Sequence, residues 1–501
     1  MPKLKLTGVS KAYGATQALR RGDLEIESGE VHVLIGSNGS GKSTLCKIVA
    51  GSVRPDGGEV LLDGKPVMLS GPQAARALGI GIFYQELSLA GHRSVAENIC
   101  LSDLPMRAGV FVDRPALAER AARYIALFDN VAGDGFSAEA TVESLRADQR
   151  QLVEIMKALA TEAPVLIFDE PTSALDRAQV DRFFEILRQL KSGGRSIVFI
   201  SHRMDEIFAI GDRVTVIRDG ETVGIERIAD TKPSSVIHMM VGGQNELAPP
   251  TGAPPAAHTA GKGTVLAIKG LAGPGFGNVG FDLAKGEILG FGGLHGQGQS
   301  AVLRAIFGAA PIAAGEIVLN GKPLQPGSPR DTIRHGCAYV SGDRNRDGVI
   351  HGRPIIENLT PVHHLRDRLL LALPSSLRDK SMTALEALHT KFAGLGQPIN
   401  SLSGGNQQKV VIARWLIDRP DVLLLDDPTK GIDLSAKADL FALIRKLAEE
   451  GLGIVLYSSE DAELLNNADR ILVFNGGSVT RELTGAERTR YNLYEAAYEA
   501  A

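Results

Sequence analysis

Residues 36–43 read GSNGSGKS and fit the pattern GxxxxGK[ST] in full. Glycines at Gly36, Gly39 and Gly41 let the backbone curl tightly and aim its N–H groups inward, which suits a chain of phosphates. Lys42 adds a point charge for β- and γ-phosphates, and the Ser43 hydroxyl is a ligand for Mg2+. Ser37, Asn38, Ser40 and Thr44 complete the same loop. Asp169 closes the apolar run VLIF, where a carboxylate holds Mg2+ directly or through water. Glu170 beside it is suited to polarise the water that attacks a γ-phosphate. Gln85 follows IGIFY and is in reach of both metal and water; His202 follows IVFIS and is a donor for the γ-phosphate. Taken alone, each of these two is an ordinary strand-end polar residue, and it is their order and company that raise the functional reading. Tyr13 is a candidate for stacking on adenine, and equally an exposed or core tyrosine.

The same frame recurs 257 residues later, where residues 293–300 read GLHGQGQS. Lys42 maps to Gln299, Ser43 to Ser300, Asp169 to Asp426, Glu170 to Asp427, Gln85 to Gly342 and His202 to Ser459. Leu145 and Asp176 map to Leu402 and Asp433, and GGEVLLDGKP at 57–66 maps to AGEIVLNGKP at 314–323. The offset slips to 260 between AENI at 96–99 and IENL at 356–359, so one loop gained three residues and a later one lost them. A repeat of this length is a domain duplication, not a solenoid. The substitutions remove a cation, shorten a carboxylate by one methylene and delete an imidazole and an amide.

The elements that must position these residues are legible as well. Apolar runs precede each glycine-rich loop (VHVLI at 31–35, EILGF at 287–291) and each acid, as buried parallel strands do. Helices open inside the loops, at KSTLCKIVAG and QSAVLRAIFG. Strand–loop–helix repetition predicts an α/β fold of two tandem domains, each with a parallel-rich sheet. A helical subdomain is expected over 86–160 and 343–417. The Pro/Ala-rich stretch 246–263 reads as a linker between domains at 1–245 and 264–501. Tyr491, Tyr494 and Tyr498 have the spacing of a terminal helix packing its apolar side down.

Composition excludes several classes. Of 501 residues, 22% are charged and the net charge is −4, which argues against nucleic acid as the main partner. Cys46, Cys100 and Cys337 are scattered and form no zinc or disulfide framework, as in a reducing cytosol. The N-terminus lacks an apolar signal core, and no stretch approaches the ~20 apolar residues of a membrane helix.

The second half also contains LSGGNQQK at 402–409, upstream of Asp426. With GSNGSGKST, Gln85, DEPTSALD and His202, this makes the chain resemble ABC-transporter ATPases over essentially its whole length. The tandem arrangement, with a weak second phosphate loop, resembles the fused ATPase subunits of ribose-, xylose- and galactoside-type sugar importers. The resemblance implies that two domains pair head to tail, each ATP lying between one phosphate loop and the other domain's LSGG signature. Site one would then combine Lys42, Ser43, Gln85, Asp169, Glu170 and His202 with Ser403, Gly404, Gly405 and Gln407, where a helix start offers N–H groups to a γ-phosphate. Site two would combine the Gln299 loop with LRADQRQ at 145–151, in which Arg146 takes the serine position and Asp148 a glycine position. An aspartate facing phosphate is repulsive, by a few kcal/mol in a poorly solvated interface, with Arg146 as a partial offset. One hydrolytic and one degenerate site are therefore expected, with ATP and Mg2+ as cofactors.

The resemblance further implies a transmembrane permease, in two copies, and an extracytoplasmic solute-binding protein. The chain would lie peripherally at the cytoplasmic face of the inner membrane. A nucleoside importer ATPase is the alternative within the same mechanism. A soluble tandem ATPase acting on ribosomes is the alternative outside it, disfavoured by the short linker and mild acidity.

Overall fold

In the computed structural model the residues described are 3–14, 16–37, 39–84, 87–108, 110–201, 203–242, 263–367, 377–430, 432 and 434–498. Gln85, His202, Asn38 and Asp433, with nearly all of the linker, lie outside them. The chain divides into two compact units, 1–242 and 243–501.

In the first unit, five strands run side by side in parallel: Arg213–Arg218, Val31–Ile35, Ser196–Ile200, Val165–Asp169 and Ile80–Phe83. The three in the middle of this set are buried almost throughout, which explains their unbroken apolar sequence. Antiparallel strands Leu4–Tyr13, Thr16–Ile26 and Gly57–Leu62 extend the sheet beyond Arg213–Arg218, through Glu221–Arg227. The helical part includes Val95–Ile99, Arg114–Ile125 and Ala147–Leu159, within the expected 86–160. A small hairpin, Met106–Arg107 with Phe111–Val112, interrupts it and carries no periodicity that would have announced it.

The second unit repeats the plan, with strands Thr264–Gly273, Phe276–Ala284, Ala314–Leu319 and Lys322–Leu324 in a separate four-stranded sheet. Its strand register is the same after the 257-residue shift. Asp169 stands opposite Ile200, and Asp426 opposite Tyr457; Ile82 stands opposite Ile167, and Tyr339 opposite Leu424. A one-residue slip would send every side chain to the other face of the sheet, so equal register makes the sequence offset a spatial equivalence within each unit. The terminal helix Arg490–Tyr498 buries Leu493, Tyr494, Ala496 and Ala497, the packed-down arrangement. Among the described residues no helix is long and apolar enough to cross a membrane.

Candidate nucleotide site

The first phosphate loop runs from strand Val31–Ile35 into helix Lys42–Val49. Glycine is required at two points. A Cβ on Gly36 would lie 2.2 Å from the Ile217 carbonyl oxygen, and Gly41 caps the helix at φ 106° with the Ala18 carbonyl 2.8 Å from any Cβ. The Lys42 ammonium reaches back over the loop and donates to the carbonyls of Gly36 (2.7 Å) and Ser37 (2.9 Å). Burial depresses its pKa, while Glu170 and Asp169 nearby support the charge. Gly39, Ser40, Gly41, Lys42, Ser43 and Thr44 line a cavity of about 260 Å³ together with Ala18, Asp169 and Glu170. Ala18 had no sequence signal. The Ser40 hydroxyl is buried with no hydrogen-bond partner among the described residues. Tyr13 is 48% exposed with Lys11 Nζ over its ring at 5.8 Å, so of the two bland alternatives it is exposed rather than core.

Asp169 ends its strand facing this cavity. Its carboxyl is pushed up to about 6, first by burial and then by the Glu170 charge, with Lys42 and Lys47 opposing. No described residue donates a hydrogen bond to it, and the Ser43 hydroxyl lines the same cavity. A half-buried carboxylate to which no described residue donates a hydrogen bond, beside an exposed hydroxyl, is an oxygen donor set that fits a small divalent cation. Glu170 has φ 52°, a left-handed conformation uncommon for a side-chain-bearing residue, held by its N–H donating to Ile200 O at 3.0 Å.

Around these acids sits a brace that sequence reasoning missed. Thr172 and Ser201 both donate to Glu206 Oε2, at 2.9 and 2.7 Å, in a buried cluster. Thr429 and Ser458 do the same for Glu463, at 2.7 and 2.6 Å. Identity at the 257-residue offset was the available signal. The brace pins the loop after each acid to the end of the neighbouring strand, and its presence in both copies marks it as scaffold.

The second phosphate loop keeps the backbone and changes the chemistry. Gly298 caps helix Gln299–Ile306 at φ 100°, and Asp427 repeats the strained turn at φ 50°. Gln299 donates to Leu294 O (3.0 Å), the counterpart of Ser37 O, and to Gly292 O (3.2 Å), one residue before the counterpart of Gly36, so it tethers the loop in a similar way without the lysine's charge. Asp426 is held by Ser300 and by Tyr339, which sequence reasoning did not single out; burial raises its pKa and the two hydroxyls pull it back. Asp427 accepts from the Ser459 backbone N–H at 3.1 Å and from its hydroxyl at 3.0 Å. The residues at the glutamate and histidine positions are thus bound to each other. A Cβ on Gly342 would lie 2.8 Å from Asp426 O, so the backbone leaves no room for a glutamine there. His295 Nδ1 and Tyr457 OH, 2.9 Å apart, tie the loop to the end of a strand.

The signature segments differ in the same way. Exposed Ser403 precedes helix Gly404–Leu416, and its hydroxyl accepts from Asn406 at 3.0 Å. Gln407 donates to Leu402 O at 3.0 Å and so braces the turn. Arg146 precedes helix Ala147–Leu159 and forks onto both Asp148 oxygens, at 3.1 and 2.9 Å. That contact holds the Asp148 carboxyl below the usual range, with Gln179 as a second donor. The aspartate charge is therefore matched locally, a stronger offset than the sequence alone suggested.

The chain matches the ABC transporter family over residues 19–173 and 276–430. A putative ribose/galactose/methyl galactoside import ATP-binding protein of Burkholderia lata is 44% identical over 500 residues, covering 99% of this chain and 96% of that one. The ribose import ATP-binding protein RbsA 1 of Rubrobacter xylanophilus is 42% identical over 494 residues, covering 98% and 96%. A crystal structure of a nucleotide-free ATP-binding cassette from an ABC transporter aligns at 23% identity with a TM-score of 0.43, covering 48% of this chain and 100% of that one. Two matched domains and relatives spanning nearly every residue establish that the chain belongs to the ABC transporter family and carries its ATP-binding domain twice.

Proposed function

We propose that this protein is the ATPase subunit of a membrane importer for a monosaccharide or polyol, with hydrolysis confined to the first phosphate loop. The observation that carries the reading is the contrast between two equivalent loops. Lys42, Asp169 and Glu170 line one cavity, whereas Gln299 has no charge and both Asp426 oxygens are engaged by neighbouring hydroxyls. The cargo class rests on relatives named for ribose, galactose and methyl galactoside import.

Ser43 and Asp169, with Gln85, would hold Mg2+, which when bound neutralises charge on the β- and γ-phosphate oxygens. Loop N–H groups and the Lys42 ammonium hold the phosphates and favour the charge that develops during transfer. Glu170 orients the attacking water and accepts its proton. His202 donates to the γ-phosphate oxygens. Ser403, Gly404 and Gly405, at a helix start, offer N–H groups to a γ-phosphate. This cycle drives a permease, in two copies, fed by an extracytoplasmic solute-binding protein, with the chain docked peripherally at the cytoplasmic face of the inner membrane. Arg146 and Asp148 fall to the second, degenerate site.

The test is Mg2+-ATPase of the purified chain beside Glu170→Gln and Asp427→Asn, followed by sugar-stimulated activity after reconstitution with permease and binding protein. Glu170→Gln is expected to lower turnover at least a hundredfold and Asp427→Asn less than twofold. Equal losses would sink the one-engine reading.

A further inference from the structure

In the second unit, the carboxylate that corresponds to cavity-lining Asp169 has both oxygens engaged. Ser300 Oγ donates to Asp426 Oδ1 at 2.6 Å, and Tyr339 OH donates to Oδ2 at 2.7 Å. The serine contact alone would not exclude a metal, because a hydroxyl that gives its proton to a carboxylate keeps lone pairs for a cation. The tyrosine contact is different. Tyr339 lies on strand Cys337–Val340 directly opposite Leu424, and its ring stacks on Phe307 with centroids 5.1 Å apart. Phe307 is itself packed edge-on against Trp415. The phenol is therefore aimed by register and packing, not by chance rotation. The first unit has Ile82 in the same register, opposite Ile167, and Ser43 makes no hydrogen bond to Asp169.

Two further features weaken the site without closing it. Gly342 offers no side-chain ligand, and the Asp426 carbonyl fills the space where one would begin. Gln299 supplies no charge to hold phosphates beside a metal. Mg2+ requires near-octahedral oxygens at about 2.0–2.1 Å and gives up its water reluctantly. To reach Asp426 it would have to break a phenol–carboxylate hydrogen bond of the strong, charge-assisted kind.

We infer that the second phosphate loop excludes divalent cations, the Tyr339 hydroxyl standing in for the metal on Asp426. This rests on the reading of two unequal loops and specifies what one of them rejects. The experiment counts Mn2+ bound per full-length chain, by electron paramagnetic resonance, at saturating non-hydrolysable ATP analogue. The expected count is one in the wild type, none in Asp169→Asn and one in Asp426→Asn. In the Asp169→Asn background, Tyr339→Phe is expected to restore Mn2+ binding by freeing Oδ2. Tyr339→Ile, the residue the first unit carries at that register, serves if the phenylalanine variant does not fold. Two Mn2+ in the wild type, or one that survives Asp169→Asn, would overturn the inference. No gain on removing the hydroxyl would overturn the role given to Tyr339. Failure of the one-engine reading has another signature, equal loss of turnover in Glu170→Gln and Asp427→Asn, and is distinguishable from any Mn2+ count.

Discussion

Replacing Lys42 by glutamine asks the first phosphate loop to become the second in one respect. The lysine does two things at once: it ties the loop through Gly36 O and Ser37 O, and it brings a positive charge to the cavity. Gln299 shows that an amide in this position also makes two tethers to loop carbonyls, at 3.2 and 3.0 Å, one of them to the counterpart of Ser37 O. Exchanging one pair of hydrogen bonds for another changes stability by about 1 kcal/mol or less. The melting temperature of the first unit should therefore move by no more than about 2–4 °C. Loss of the charge is the larger effect. A unit charge about 4 Å from a phosphate oxygen, at an effective dielectric of about 20, is worth about 4 kcal/mol. At 1.36 kcal/mol per factor of ten, turnover falls on the order of a thousandfold. The assay is steady-state Mg2+-ATPase with kcat and KM resolved, beside thermal unfolding of the same preparation. Turnover within tenfold of wild type would refute the reasoning by showing that the cation contributes little. A melting temperature lowered by much more than a few degrees would refute it differently, because the second loop would then be no guide to the first.

Asp169 predicts a pH dependence. Its carboxyl sits at about 6 in the folded protein against 3.8 when exposed, because burial and Glu170 disfavour the charged form. Between those values the folded state binds the extra proton, so stability falls as pH rises through about 4 to 6, by up to about 3 kcal/mol. Metal-free Asp169→Asn should accordingly melt higher than wild type at pH 7 and no higher at pH 4, and a variant that melts lower at pH 7 would contradict this. Gly342→Gln should not rescue the second loop: its Cβ would meet Asp426 O at 2.8 Å, and differential scanning calorimetry should show the unit destabilised by about 1–3 kcal/mol. The double change Ser403→Arg with Gly405→Asp carries two residues of the first unit's signature into the second. It should leave melting nearly unchanged, since Arg146 and Asp148 already pair at a helix start, yet lower ATPase at least a hundredfold; retained activity would remove Ser403 from the site.

Much of this was legible in the residues themselves. The glycine-rich loop, the acids after apolar strands and the 257-residue offset are local facts, because a tight turn, a buried strand and a helix start each demand particular residue types at fixed spacing. Sequence alone therefore determined the α/β class, the duplication and the loss of Lys42, Glu170, Gln85 and His202 equivalents in the second half. It could not determine what replaced them. Tyr339 is 87 residues from Asp426, and on its own strand it reads as one more apolar position. Ser459 and Asp427 are 32 apart, and Arg146 with Asp148 read as opposing charges of unknown orientation. Only tertiary structure decided that these groups meet, because strand register and ring packing aim a side chain across the sheet. It is those contacts that make the second loop a closed arrangement rather than merely a weakened one.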